Sequence, residues 1–356
     1  MGAKLVPMSD ATWPMPASSI PERRIFEQAL YANSPFGTLA TTLLVLLVLV
    51  GALLMAALAD HYPPVVHTTG GWTLGASTWP GIVLSILVTV ALGMQRYVRN
   101  RDVAENLALQ AVMPDCQEGE RRIYDAAGMR RLKIASAVGA LLGALPSVVL
   151  VPHALILRAP ATFAWFIVMD AFTAALFARG IVQSTRAAES WARLINQSLI
   201  IDLLRIDSLN VIGRYAARTA LIWFSVAGAI LLFFVGHNMN MLTFAVLLLA
   251  AVMGVWIFVR PMERVHRRIR AAKRAELEPI RQAIESAWER APHDALEAAK
   301  LQGLLALESR IEAVREWPFD QPTALRVAAY VLIPAVPWFG QAIAGYFVAN
   351  FVHAKS

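Results

Sequence analysis

Asp170 stands midway along the apolar run ATFAWFIVMDAFTAALFA, which holds no other ionisable residue. A carboxylate in that setting is expensive unless it faces protein or water. It therefore marks either a relay for protons or cations or a hydrogen-bonded tie between two helices. Near the C-terminus, Gln341, Tyr346 and Asn350 are spaced five and four residues apart and give a loosely polar helix face, while Val331, Ala335, Trp338 and Ala342 give a tight, mostly apolar one. An amide on such a helix can replace part of an ion's hydration, and a ring of apolar side chains can close a pore by dewetting. An ordinary buried helix carries the same pattern. The histidines fall at no metal-ligand spacing with another histidine, cysteine or carboxylate, so no metal site is predicted. There is no nucleophile elbow, phosphate loop, HExxH or dinucleotide fingerprint, and neither an enzyme nor a cofactor is expected.

The elements that would position these residues are membrane spans. Hydrophobic residues make up 57% of the 356 and charged residues 16%, with a mean hydropathy of +0.53. Seven runs reach or approach the roughly 20 apolar residues a bilayer crossing needs: 38–59, 79–95, 134–152, 161–178, 219–236, 241–259 and 327–350. The first is longer than a signal-peptide core and is read as a retained helix. Counted along alternate loops, basic residues number 3, 8, 6 and 13 on one side, which is 30 of the 32 in the chain. Lys and Arg stay in the cytoplasm during insertion. The expected protein is thus an all-α integral protein of the plasma (inner) membrane with seven transmembrane helices, the N-terminus cytoplasmic and the C-terminus outside. The net charge of +7 is a topology signal with a secondary attraction to anionic lipid, and no nucleic-acid partner is predicted. One cysteine, Cys116, permits no internal disulfide.

The chain divides into a cytoplasmic N-terminal segment (1–37), spans one to four (38–178), a cytoplasmic extension (179–218), spans five and six (219–259), a cytoplasmic hairpin (260–322) and span seven (323–356). In the first segment Ile25, Phe26, Leu30 and Tyr31 form one face of a short amphipathic helix. Val265, Ile269, Ala272, Ile280, Ile284 and Trp288 give the hairpin's outgoing arm one apolar stripe, with Pro261 and Pro279 as bends. Asp294 and Glu297 fit a capping box at the turn, and Leu304, Leu307, Ile311 and Val314 make the returning seam. Gly213 is expected to interrupt the helix that enters span five. Gly139 and Gly143 form GxxxG on span three, a device for close helix packing. Trp72, Trp79 and Trp165 suit the membrane interface.

The stretches IDLLRIDSLNVIGRYAARTALIW (201–223) and LLALESRIEAVREWPFDQPTALRVAAYVLIPAVPWFG (304–340) resemble a family of uncharacterised bacterial and archaeal polytopic membrane proteins, Glu316-Trp317-Pro318-Phe319-Asp320 being the most specific element. That resemblance implies a prokaryotic protein and supplies no activity. The layout of seven spans, an inward N-terminus and cytoplasmic extensions also resembles the ion channel superfamily of insect olfactory and gustatory receptors. This second resemblance implies a homotetramer in which residues 296–316 anchor the copies and residues 323–350 line a pore. Gln341 would then be a polar lining residue, and Val331, Ala335 and Ala342 constriction positions. Asp170 would sit in the outer bundle beside a ligand-accessible cavity. Tyr330 follows Ala329, and Gln341 precedes Ala342, where the insect receptors have threonine and phenylalanine. Two other functions fit the sequence: a non-conducting scaffold or sensor that docks partners on the hairpin, and a secondary transporter working through Asp170.

Overall fold

The computed structural model describes residues 30–31, 34–68, 71–75, 77–114, 125–149, 153–234, 241–290, 295–319 and 321–333. Among them, six helices are long and apolar enough to cross a membrane, which makes the chain a multi-pass membrane protein. They are α1 (Thr38–Ala59), α2 (Thr78–Val112), α3 (Ala126–Val149), α5 (Pro160–Ser198), α6 (Asn210–Leu231) and α7 (Met241–Arg290). The shorter helices are α4 (His153–Arg158), α8 (Ala295–Glu312) and α9 (Gln321–Leu332). The part of the expected seventh span beyond Ile333 lies outside the described residues, with Ala335, Gln341 and Ala342.

Burial ranks the helices. The apolar windows of α2 and α6 are 56% and 61% buried, against 11% for α1 and for α3. Thus α2 and α6 form the centre, and α1 and α3 turn Leu47, Met55, Leu141 and Val149 outward. Faces so apolar would associate in water; in a bilayer they meet their own solvent. One core joins Leu84, Val88, Met169, Trp223, Ile230 and Ile257 within the membrane segments. A second lies toward the basic-rich end, where Met113, Trp191, Ile195, Leu209, Ile212, Met262, Val265 and Ile269 pack together. Trp191 and Tyr215 meet there at 4.3 Å between ring centroids, with planes tilted by 34°. The helices therefore continue past the apolar layer and stay packed beyond it.

Four local features depart from the sequence reading. The connection after α1 holds a two-stranded hairpin, β1 (Val65–Thr68) and β2 (Gly71–Leu74), paired antiparallel with Val65 opposite Leu74, so the fold is helical with one small sheet. The β-branched Val65, Val66, Thr68 and Thr73 favour that backbone. Second, α2 runs to Val112, well past its apolar stretch, because Glu105 pairs with Arg218 at 3.1 Å and Arg214 at 3.5 Å on α6. Third, α6 begins at Asn210 and contains Gly213; the break falls earlier, in a 3-10 stretch over Leu203–Leu209. Fourth, Trp288 is 65% exposed while Ala287 is fully buried. On the returning arm Leu301 and Ile311 are buried and Leu307 is exposed, because Glu308 meets Arg281 at 2.8 Å at that level of the seam. Pro261 and Pro279 both sit inside the continuous α7.

The GxxxG pair works within the chain. Gly139 and Gly143 bring α3 against Ala174 and Ala178 of α5. At the other end of α5, Asp60 supplies a cap from a distant part of the sequence. It follows α1 in a Schellman turn, with Tyr62 N bonded to Ala57 O, His61 N to Leu58 O, and His61 at φ 55°. Its carboxylate accepts the N–H of Ala161 at 3.0 Å and of Thr162 at 2.7 Å, where α5 has no side-chain cap of its own. Desolvation is the largest single influence on Asp60 and raises its pKa, but the N–H bonds of Thr162 and Ala161 together outweigh it and leave the pKa below the ordinary 3.8. A lowered folded pKa means that the stabilisation is complete above the unfolded value and is lost as pH falls through the folded one. Asp60→Ala should cost about 1 kcal/mol at pH 7. Thermal unfolding at pH 7 and pH 3 should show the wild type losing its advantage over the variant at the lower pH.

Candidate functional site

Ion pairs, hydrogen bonds and ring contacts gather at the joint where the hairpin delivers the chain to α9. The segment Arg315–Phe319 leaves α8 and is fixed on three sides. The end of α8 is capped by a cation: Lys273 Nζ donates to Glu312 O, the helix's last carbonyl, at 2.7 Å and to Val314 O just past it at 3.2 Å, favourable at a helix C-terminus. Pro318 lacks the N–H to prolong any helix. Arg315 reaches Asp207 at 2.7 Å, tying the segment to the 3-10 stretch before α6.

Glu316 then faces α7. Its carboxylate lies 3.6 Å from Arg270 Nε, 3.7 Å from Lys273 Nζ and 3.9 Å from His266 Nε2. His266, Arg270 and Lys273 are spaced i, i+4, i+7 and so share a face of α7. Glu316 also offers its carbonyl to His266 Nδ1 at 3.0 Å. A carbonyl can only accept, so Nδ1 carries the imidazole proton in this bond. The Trp317 ring stacks on the His266 ring with centroids 4.4 Å apart and planes 15° apart. Phe319 stands between Trp317 at 5.6 Å and Phe258 at 6.2 Å. Pro318 is fully buried, and its carbonyl lies against Gly213 of α6. A side chain at Gly213 would stand 2.8 Å from that oxygen and 3.1 Å from Phe319 Cβ. The glycine thus admits the segment into the groove between α6 and α7.

Helix α9 starts from this clamp. Thr323 is buried, Val327, Tyr330 and Ile333 are partly so, and all four share one face; Ile333 packs over Gly228 of α6. The opposite side, with Leu325, Val331 and Leu332, is exposed. Val331 therefore points away from its own bundle.

Asp170 lies elsewhere. Its Oδ2 accepts a hydrogen bond from Ser147 Oγ at 2.6 Å, which joins α5 to α3 one helical turn beyond Gly143. Trp79 donates its Nε1–H to Leu232 O at 3.1 Å, closing the end of α6, and Trp165 meets Phe166 edge-on. Among the described residues no group of three or more His, Cys, Asp or Glu could hold a metal ion.

The sequence reading singled out Glu316-Trp317-Pro318-Phe319-Asp320 without its partners. His266, Arg270, Lys273 and Gly213 were the missing half. The i, i+4, i+7 spacing of the first three was readable, but nothing local points across some fifty residues to Glu316. Asp320, like Asp294 at the hairpin turn, lies outside the described residues. Compared with known protein families, with curated proteins and with solved structures, the chain has no match.

Proposed function

We propose that the protein is a homo-oligomeric ion channel of the plasma membrane whose pore is lined by the seventh span. One observation carries the reading: α9 is attached to its bundle by a single face and leaves an almost wholly apolar face open, with Leu325, Val331 and Leu332 exposed. A helix held in this way can meet its counterparts from other copies, and its root is fixed by the Glu316–Phe319 clamp to the cytoplasmic extension. The tetramer, the outward C-terminus and the lining roles of Val331, Ala335, Gln341 and Ala342 follow from the layout resemblance. A small-molecule ligand is compatible with such a channel.

Protein purified into nanodiscs should be tetrameric, and liposomes containing it should pass ions. Val331→Ser should raise the resting flux by wetting a constriction. A strictly monomeric particle, or liposomes silent across a varied ligand set, overturns the channel. The scaffold reading draws on Trp288 and Leu296, which stand 65% and 75% exposed at the far end of the hairpin. It is favoured if tetramers form without flux. Transport through Asp170 requires that Asp170→Asn abolish uptake while the protein stays folded.

A further inference from the structure

Helix α3 lies at the edge of the bundle and is held chiefly by α5. Gly139, Gly143 and Ser147 make that contact, on the side where Leu132 is buried. The opposite side carries Ile134, Val138, Leu141 and Leu145, at least half exposed. At 1.5 Å per residue this stripe is about 17 Å long, close to the roughly 15 Å of one hydrocarbon leaflet. One turn before Ile134 the same face turns from apolar to basic. Arg130 precedes Ile134 by four residues and Arg131 by three, so both stand over the end of the stripe, with Lys133 beside it. All three are exposed.

These cations differ from others at the basic-rich end. Arg214 and Arg218 meet Glu105, Arg281 lies between Glu308 and Glu312, and Arg315 meets Asp207. Arg130, Arg131 and Lys133 make no ion pair or side-chain hydrogen bond among the described residues. Asp125, the acidic residue nearest to them along the chain, directs its carboxylate to the N–H of Gly128 at 2.5 Å. Three positive charges thus stand together within about 6 Å of the end of the apolar stripe, measured along the helix. That is the thickness of one headgroup layer.

The combination restricts the occupant. A zwitterionic headgroup brings its own cation next to the phosphate, and three cations without carboxylate partners repel it. A second copy docked by the same face would set these charges against their own counterparts. A soluble anion would make no use of the stripe. We infer that the outer face of α3 is a binding site for an anionic glycerophospholipid, whose phosphate is held by Arg130, Arg131 and Lys133 and whose acyl chain lies along Ile134, Val138 and Leu141. The two guanidinium groups suit the phosphate because their N–H forks match its oxygens. The site needs neither a pore nor an oligomer, since it is complete within one chain.

The test titrates the full chain in detergent with phosphatidylglycerol or with phosphatidylcholine of the same acyl chains, and counts bound lipids by native mass spectrometry. The first phosphatidylglycerol should bind about tenfold tighter than the first phosphatidylcholine. One Lys or Arg at an anionic lipid surface is worth about fivefold. Arg130→Gln should therefore weaken phosphatidylglycerol by about that factor, and the triple variant Arg130→Gln/Arg131→Gln/Lys133→Gln should bind the two lipids alike. Arg96, Arg99, Arg101, Arg121 and Arg122 stay in the same connection, which keeps its basic excess for insertion. Should the triple variant still insert poorly, Arg130→Gln alone gives the answer. The control removes equal charge from exposed positions on α7 and α8: Arg268→Gln/Arg274→Gln/Arg310→Gln should keep the preference within twofold. Millimolar sn-glycerol 3-phosphate should displace no lipid. Equal affinity of the wild type for the two lipids overturns the site, and so does an equal loss of preference in the two triple variants. Displacement by glycerol phosphate would make it a phosphate site in which the chains have no part, and overturns the lipid. A triple variant that keeps the preference but changes the number of copies assembled makes the face an interface between copies, and overturns it too. Absence of ion flux in liposomes would change none of these outcomes, so the site and the channel reading fail separately.

Discussion

Gly143→Leu is expected to destabilise the protein by about 3 kcal/mol or more, with a fall of several degrees in the unfolding temperature in detergent. Even a methyl group at this position would overlap the backbone carbonyl of Asp170 and stand 2.5 Å from Ala174 Cβ. Backbone cannot escape by changing rotamer, so α3 must move as a body away from α5. That movement also parts Ser147 from Asp170 and leaves a carboxylate without its donor inside the apolar layer. Gly139 is similar, with Ala174 O at 2.5 Å and Ala178 Cβ at 2.7 Å, and Gly143→Ala should already cost measurably. The control is Gly51 of α1, around which nothing lies within 4 Å. Gly51→Leu should leave stability unchanged or raise it by up to about 1 kcal/mol, because leucine is the better helix former and nothing there is displaced. Equal melting temperatures for the Gly143→Leu and Gly51→Leu variants would remove the α3–α5 contact from the fold.

The same comparison shows what could be read from the sequence. Apolar length located the spans, and for α1 the run 38–59 coincides with the helix, because lipid and helix obey one rule: twenty-odd uncharged residues with every backbone group bonded internally. The features that escaped depend on partners distant in the chain. Gly213 looked like a helix break because glycine is a poor helix former. It is instead a helix-interior residue kept small by the carbonyl of Pro318 about a hundred residues later. Trp288 looked like part of an apolar stripe, yet Ala287 takes the buried place; a stripe drawn at a fixed period drifts along a helix of 50 residues. The charged continuation of α2 has no strong periodicity and is held by Glu105 pairing with α6. At the joint, the residues on the entering segment were legible and the receiving face was not. The seventh run was legible by composition, but of its residues only those up to Ile333 are described, and Ala335, Gln341 and Ala342 lie beyond them.

The receiving face leads to the second large effect. Gly213→Val is expected to expel Pro318 and Phe319 from their groove while leaving the neighbouring core in place. Val211, Ile212 and Ala216 are on the same helix and pack with Met262, Val265 and Ile269; Phe319, only partly buried, touches the edge of that core, so its loss should not unfold it. Expulsion removes the stacking of Trp317 on His266 and releases Glu316 from Arg270 and Lys273. The ion pairs matter less than the packing. Arg270 is more than half exposed, and exposed pairs contribute at most about 1 kcal/mol each; Lys273 is largely buried but keeps the carbonyls of Glu312 and Val314 as partners when Glu316 is gone, whereas Pro318 is fully buried. Glu316→Gln should therefore be the milder variant, and Gly213→Ala intermediate. Hydrogen exchange is the decisive readout. In Gly213→Val, amides of α9 should exchange at least tenfold faster, with those of α6 and α7 around Ile212 and Val265 unchanged. If protection is lost equally across that core, the joint is one part of a single cooperative unit and not a separable clamp. If protection in α9 survives, the span is held from its other end. In a channel with its pore on span seven, the selective loosening would also change ion flux without changing the number of copies assembled, because the clamp closes entirely within one chain.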